Sequence, residues 1–145
     1  MRIILASNSP RRRELLSQVG LEYEVIPSGF EEKASGMEPH EMVKHFAFMK
    51  ASDVASSIKD DALVIGADTI VYLDSILGKP SDEEDAARML RSLSGRVHLV
   101  ISGISVIHTL SGRCITDCET TKVRIKTLSE SEIQNYIRTG EPMDK

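Results

Sequence analysis

Several features that would narrow the reading at once are missing from this chain. Of its 145 residues only two are cysteines, Cys114 and Cys118. Their spacing supplies no second ligand pair for zinc, and on a strand both side chains would point to one face. They read as reduced thiols of a cytoplasmic protein rather than as a disulfide framework. No apolar run approaches the roughly 20 residues that a membrane helix needs. The apolar segment at the N-terminus is short and runs straight into arginines, unlike a signal peptide. Neither G-x-x-x-x-G-K-S/T nor G-x-G-x-x-G occurs, which excludes the two commonest phosphate-binding motifs. His40, His45, His98 and His108 are scattered without metal-ligand spacing. There is no internal repeat, low-complexity tract or linker.

What is present describes an ordinary folded domain. The chain is 41% hydrophobic, and a single domain of this length buries about 68–70% of its unfolded surface. Eighteen basic residues against 22 acidic ones give a net charge of -4. That balance argues against a nucleic-acid polymer as partner, while leaving room for a local anion site. The pattern predicts the order β-α-β-α-β-β-α-β-β-β-α and an α/β fold with a mixed sheet. Met1 to Ala6 reads as a buried strand, Pro10 to Val19 as a helix facing inward with Leu15, Leu16 and Val19, and Leu21 to Ile26 as a strand. Pro39 opens a long helix whose stripe is Val43, Phe46, Ala47, Lys50, Ala51, Val54, Ala55 and Ile58. Ala62 to Ala67 is an apolar strand that exits through Gly66-Ala67-Asp68-Thr69, and Ile70 to Leu73 is a second run. Ser81 with Glu84, and Ser129 with Glu132, form capping boxes for two further helices. Val97 to His108 is a long strand, followed by a strand pair ending near Ile125.

The candidate chemistry begins at Ser7-Asn8-Ser9-Pro10-Arg11-Arg12-Arg13. Ser9 suits the N-cap and Pro10 the first helical position. Cations in a first turn oppose the helix dipole, by roughly 0.3–1 kcal/mol each. The cluster reads equally as a phosphate site, where amides and guanidinium groups converge, or as a capped helix with solvated arginines. Asp68 stands out at the expected strand exit, where ligands of open α/β sheets bind, and no helix there needs a cap. Lys79, in Gly78-Lys79-Pro80, would reach a phosphate or be a solvated turn lysine. Glu31 and Glu32, in the polar stretch Pro27 to Met37, offer hard oxygen to magnesium, although such loop pairs are more often only solvated. Together these groups suit hydrolysis of a polyphosphate.

Five ordered segments then resemble one family. Leu5-Ala6-Ser7-Asn8-Ser9-Pro10-Arg11-Arg12, Gly66-Ala67-Asp68-Thr69, Gly78-Lys79-Pro80, Leu93-Ser94-Gly95-Arg96 and Gly140-Glu141-Pro142-Met143-Asp144-Lys145 are similar to the Maf nucleoside triphosphate pyrophosphatases, also called septum formation inhibitors. The resemblance implies an inosine triphosphate pyrophosphatase-like fold with a cleft between two lobes. It implies hydrolysis of dTTP and UTP to the monophosphate and pyrophosphate with a divalent cation, Mg2+ or Mn2+, and a link to cell division. Carried over by position, Asp68 would be the general base or its metal-bound equivalent, with Lys79 and Glu32 as further catalytic groups. Ser7, Ser9, Arg11, Arg12, Thr69 and Lys145 would bind substrate, and Glu32 and Asp68 would hold the metal. Arg11 and Thr69 match positions tied to substrate choice. The family pattern continues beyond Asp144-Lys145, so residues 1–145 are expected to be a single Maf-like domain lacking the C-terminal part of that fold. A homodimer is compatible with this reading. Two rivals share it: a non-catalytic nucleotide-binding regulator of cell division, and a pyrophosphatase acting on ITP or XTP.

Overall fold

A computed structural model of the chain describes residues 1–33 and 36–141, and its elements run β-α-β-α-β-β-α-β-β-α. They are β1 (Arg2–Leu5), α1 (Pro10–Gln18), β2 (Glu24–Val25), α2 (Pro39–Ala55), β3 (Ala62–Leu73), β4 (Ser75–Leu77), α3 (Glu83–Leu93), β5 (Val97–His108), β6 (Cys114–Arg124) and α4 (Glu130–Arg138). The six strands form one mixed sheet in the order β2-β1-β3-β5-β6, with β4 paired to β3. β1 runs parallel to both β2 and β3, so α1 and α2 serve as the crossovers that parallel pairing requires. β4 returns antiparallel along β3 after Asp74, which turns the chain with φ of 60°.

The chain divides into two compact units, Met1–Thr69 with Ser102–Glu119, and Ile70–Ile101 with the residues from Thr120 onward. In the first unit α2 lies on one face of the sheet. Glu38 caps its first turn by accepting from the amides of His40 and Glu41, and Pro39 occupies the start, as expected. Its stripe buries Val43, Phe46, Ala47, Ala51 and Val54. Ala51 and Val54 meet Ile4, Ala6, Ala62, Val64 and Ile107, and burying each larger aliphatic chain contributes about 1.5–3 kcal/mol.

The helix comes unusually close at two glycines. A Cβ on Gly66 would overlap the Ala47 carbonyl and the Ala51 amide, and one on Gly103 would overlap the Val43 carbonyl. Gly103→Ala is therefore expected to destabilise the protein by about 1–3 kcal/mol, read as a lower denaturation midpoint. An unchanged midpoint would mean that β5 and α2 are not in backbone contact there.

In the second unit α3 and α4 meet through Ala86, Ala87, Ile133 and Ile137, with Leu90 and Leu128 packed alongside. Arg91 grips the Glu130 carboxylate at 2.7 and 2.9 Å. The Ser129–Glu132 capping box forms as its sequence predicts. The other one does not. Asp82 is the N-cap of α3, accepting from the Asp85 amide, and Ser81 instead donates to the Asp85 carboxylate. An aspartate one residue further on is an equally good cap and takes the role.

Four other expectations change. The segment expected to leave the sheet at residues 66–69 stays within β3, because the alternation of buried and half-buried residues continues unbroken from Ala62 to Ile70. Gly66 serves a close helix contact there. The strand pair expected after Gly112 is one strand, β6, since no glycine or proline interrupts residues 113–139. α1 buries none of its residues, and Leu15 and Val19 are 59% and 69% exposed. β2 is only two residues long.

Candidate active site in the first unit

Asp68 occupies the middle of β3, on the face covered by α2, and is 5% exposed. Strand alternation places it two residues beyond Gly66, where α2 is nearest. The helix answers with Lys50, whose Nζ lies 3.2 Å from Asp68 Oδ1 and 2.5 Å from Glu32 Oε1. Glu32 reaches in from the connection that precedes α2. Asp68 Oδ2 is buried and has no hydrogen-bond partner among the described residues. Such an atom loses its hydration without replacement, which disfavours the charged carboxylate.

The electrostatics follow from this arrangement. Burial pushes the Asp68 carboxyl up to about 6; Lys50 opposes the rise and the neighbouring Glu32 carboxylate adds to it. Burial also works against the charge of Glu32, but Lys50, with help from Asp68 and Arg12, holds it below the usual range. Two carboxylates thus sit in one place with different affinities for a proton, which is the pattern of an acid–base site.

Arg12 completes the group from α1. Its backbone amide is capped by Ser9, while its side chain donates to Ser7 Oγ at 3.0 Å and reaches Thr69 Oγ1 at 3.5 Å. Ser7 Oγ also accepts from the Ser9 amide at 3.2 Å. Burial lowers the Arg12 pKa, only partly offset by Asp68 and Glu32. Among the described residues Arg12 touches hydroxyls and forms no ion pair. A half-buried guanidinium held this way, at a helix N-terminus without an acid in its first turn, favours an anion.

The whole described chain matches a single family model. Residues 2–145 match that of the Maf-like proteins. The chain belongs to the Maf family. Among its curated relatives, a dTTP/UTP pyrophosphatase of a Thermoanaerobacter species is 52% identical over 146 residues, covering 100% of this chain and 76% of the relative. A dTTP/UTP pyrophosphatase of Acetivibrio thermocellus is 46% identical over 152 residues, again covering 100% and 76%. Among solved structures, a HAM1 protein from Coxiella burnetii aligns with a TM-score of 0.57 at 15% identity, over 86% of this chain and 72% of that one. The Ham1 protein of Staphylococcus aureus aligns with a TM-score of 0.52 at 16% identity over the full length of both. The α/β fold with a mixed sheet is thus of the Ham1 type.

In this Maf chain the residues singled out in the sequence separate into groups. Asp68, Glu32, Arg12, Ser7, Ser9 and Thr69 come together in the first unit, although Asp68 is in mid-strand rather than at a strand exit. Arg11 is exposed and makes no ion pair among the described residues. Arg13 donates to Asn8 Oδ1 at 2.9 Å. Lys79 is exposed between β4 and α3, in the second unit. Lys145 lies outside the described residues. Among the histidines, His108 bridges Asp61 and Ser111 at 2.6 Å each, and His98 is buried.

Lys50 is the residue that pattern reasoning missed. It was visible as the single charge in the eight-residue apolar stripe of α2. A largely covered lysine that is not at a helix end needs an acid opposite it, and Asp68 and Glu32 are those acids.

No helix among the described residues is long and apolar enough to cross a membrane.

Proposed function

We propose that this protein hydrolyses dTTP and UTP to the nucleoside monophosphate and pyrophosphate. The observation that carries the reading is Asp68 Oδ2, buried without a hydrogen-bond partner among the described residues, in a group with Glu32, Lys50 and the half-buried Arg12. The naming of the relatives at 46–52% identity supports the substrate class.

The site fits a divalent cation through its chemistry. Asp68 and Glu32 offer hard oxygens, Oδ2 is uncommitted, and Mg2+ is commonly held by one or two carboxylates together with substrate phosphates. No group of three or more His, Cys, Asp or Glu suited to a metal occurs among the described residues, so the phosphates and water would complete the coordination. A cation such as Mg2+ or Mn2+ bound there supplies charge neutralisation on the triphosphate.

The protein's own side chains do the rest. Arg12, oriented by Ser7 and Thr69, holds the phosphate chain, with Ser9 presenting the first-turn amides of α1 and Arg11 at its rim. Asp68 accepts the proton of a water molecule as that water attacks the α-phosphorus. A new P–O bond forms to the water oxygen, the bond to the β-phosphate bridging oxygen breaks, and pyrophosphate leaves. Lys50 keeps Glu32 charged and restrains the rise in the Asp68 pKa.

Pyrophosphate release from dTTP and UTP with magnesium is the direct test. Because kcat/KM reports the free protein, it is expected to fall below about pH 6, where Asp68 takes up its proton. Binding without release at any pH would favour the non-catalytic regulator, and preference for ITP the other rival.

A further inference from the structure

Residues Thr69 and Ser102 meet on the sheet face opposite α2. Their hydroxyl oxygens are 3.2 Å apart, and Arg12 Nη2 lies 3.5 Å from the same Thr69 oxygen. A guanidinium has donors only, so Thr69 Oγ1 accepts from Arg12. Between Thr69 and Ser102 either hydroxyl can donate, since each oxygen has two lone pairs and one proton. The hydroxyl of Thr69 is thereby held between two partners, Arg12 and Ser102.

The backbone under this pair is also fixed. Gly66, three residues before Thr69, lies against α2 at Ala47 and Ala51. Gly103, immediately after Ser102, lies against the same helix at Val43. Neither strand can shift without moving a helix seated on both. On their outer side, Arg12, Thr69 and Ser102 share a cavity of about 450 Å³, whose remaining wall includes Leu16, Ile65 and Ile104. Ser102 is half-buried, and its hydroxyl meets Thr69 where the two line this cavity.

We infer that Ser102 is a positioning residue of the substrate site: through its hydrogen bond with Thr69 it fixes the Thr69 hydroxyl and, through it, the head of Arg12 toward the bound nucleotide. The inference rests on the proposed triphosphate reading, in which Arg12 and Thr69 touch substrate and Ser102 acts through them.

Three proteins decide it: wild type, Ser102→Ala and Ser102→Thr. The first measurement needs no substrate. The χ1 couplings of Thr69, read by NMR in the free protein, are expected to report one rotamer in wild type and Ser102→Thr, and averaging in Ser102→Ala. The second is steady-state hydrolysis of UTP and dTTP. Loss of one net hydrogen bond is expected to raise KM by roughly 2- to 10-fold in Ser102→Ala, with kcat little changed and Ser102→Thr close to wild type. A single Thr69 rotamer in Ser102→Ala would overturn the inference. So would averaging without a change in KM, or a loss in kcat alone that threonine fails to rescue. Wild type that releases no pyrophosphate would instead sink the pyrophosphatase reading, and the rotamer measurement would still decide whether Ser102 positions Thr69.

Discussion

Asp68→Asn is expected to retain the fold and to lose about 10²–10⁴ in the rate of pyrophosphate release from dTTP and UTP. The amide keeps the shape of the carboxyl group and can still meet Lys50's neighbourhood, but it cannot take a proton from water. Stability should move the other way. In the folded protein the Asp68 carboxyl titrates at about 6, against 3.8 when unperturbed. The folded state therefore holds a proton that the unfolded state has released over that interval, and stability falls as pH rises through it. Asparagine carries no such penalty, so at pH 8 the variant should melt no lower than wild type. The advantage should shrink below about pH 6. Wild-type turnover by Asp68→Asn would remove Asp68 from the chemistry.

Lys50→Met should displace the pH dependence more than it disturbs the packing. Methionine retains most of the lysine stem and fills similar space, while Asp68 and Glu32 lose the ammonium that lies 3.2 and 2.5 Å from them. A neighbouring opposite charge commonly lowers a carboxyl pKa by roughly 1–3 pH units, and here that help disappears. The acid limb of kcat/KM is expected to move up from about pH 6 by a similar interval. At neutral pH that corresponds to roughly a 2- to 100-fold loss, recovered in part at higher pH. A profile that falls uniformly, with its limb unmoved, would show that Lys50 acts on the substrate alone and not on Asp68.

How far the sequence could be read depended on what carries each feature. The Ser9 cap, the Pro39 start and the Ser129–Glu132 box are local, a matter of residues three or four apart, and they form as expected. Asp68 was recognisable by type but not by place. Gly66 lies where α2 is close, and that contact joins parts of the chain far apart in sequence. The same non-local character hid Ser102, which looks like any strand serine until Thr69 is beside it. Lys50 gave the clearest signal that went unused: a single charge in a buried stripe implies a counter-charge in the core. The exposure of Leu15 and Val19 had no local signal at all, since helical spacing states which residues share a face and not what lies opposite.

The two glycine contacts make α2 a spacer as well as a cover. Because backbone touches backbone at Gly66 and Gly103, the height of the helix above the sheet is set by main-chain atoms rather than by the volume of the side chains between them. The separation of Lys50 from Asp68 inherits that setting. Core substitutions beneath the far end of α2, around Val54 and Ala62, can therefore change how tightly the protein is folded while leaving the charge spacing in the site where it was. Evolution or design can adjust the thermal tolerance of such a chain and its proton chemistry as separate variables.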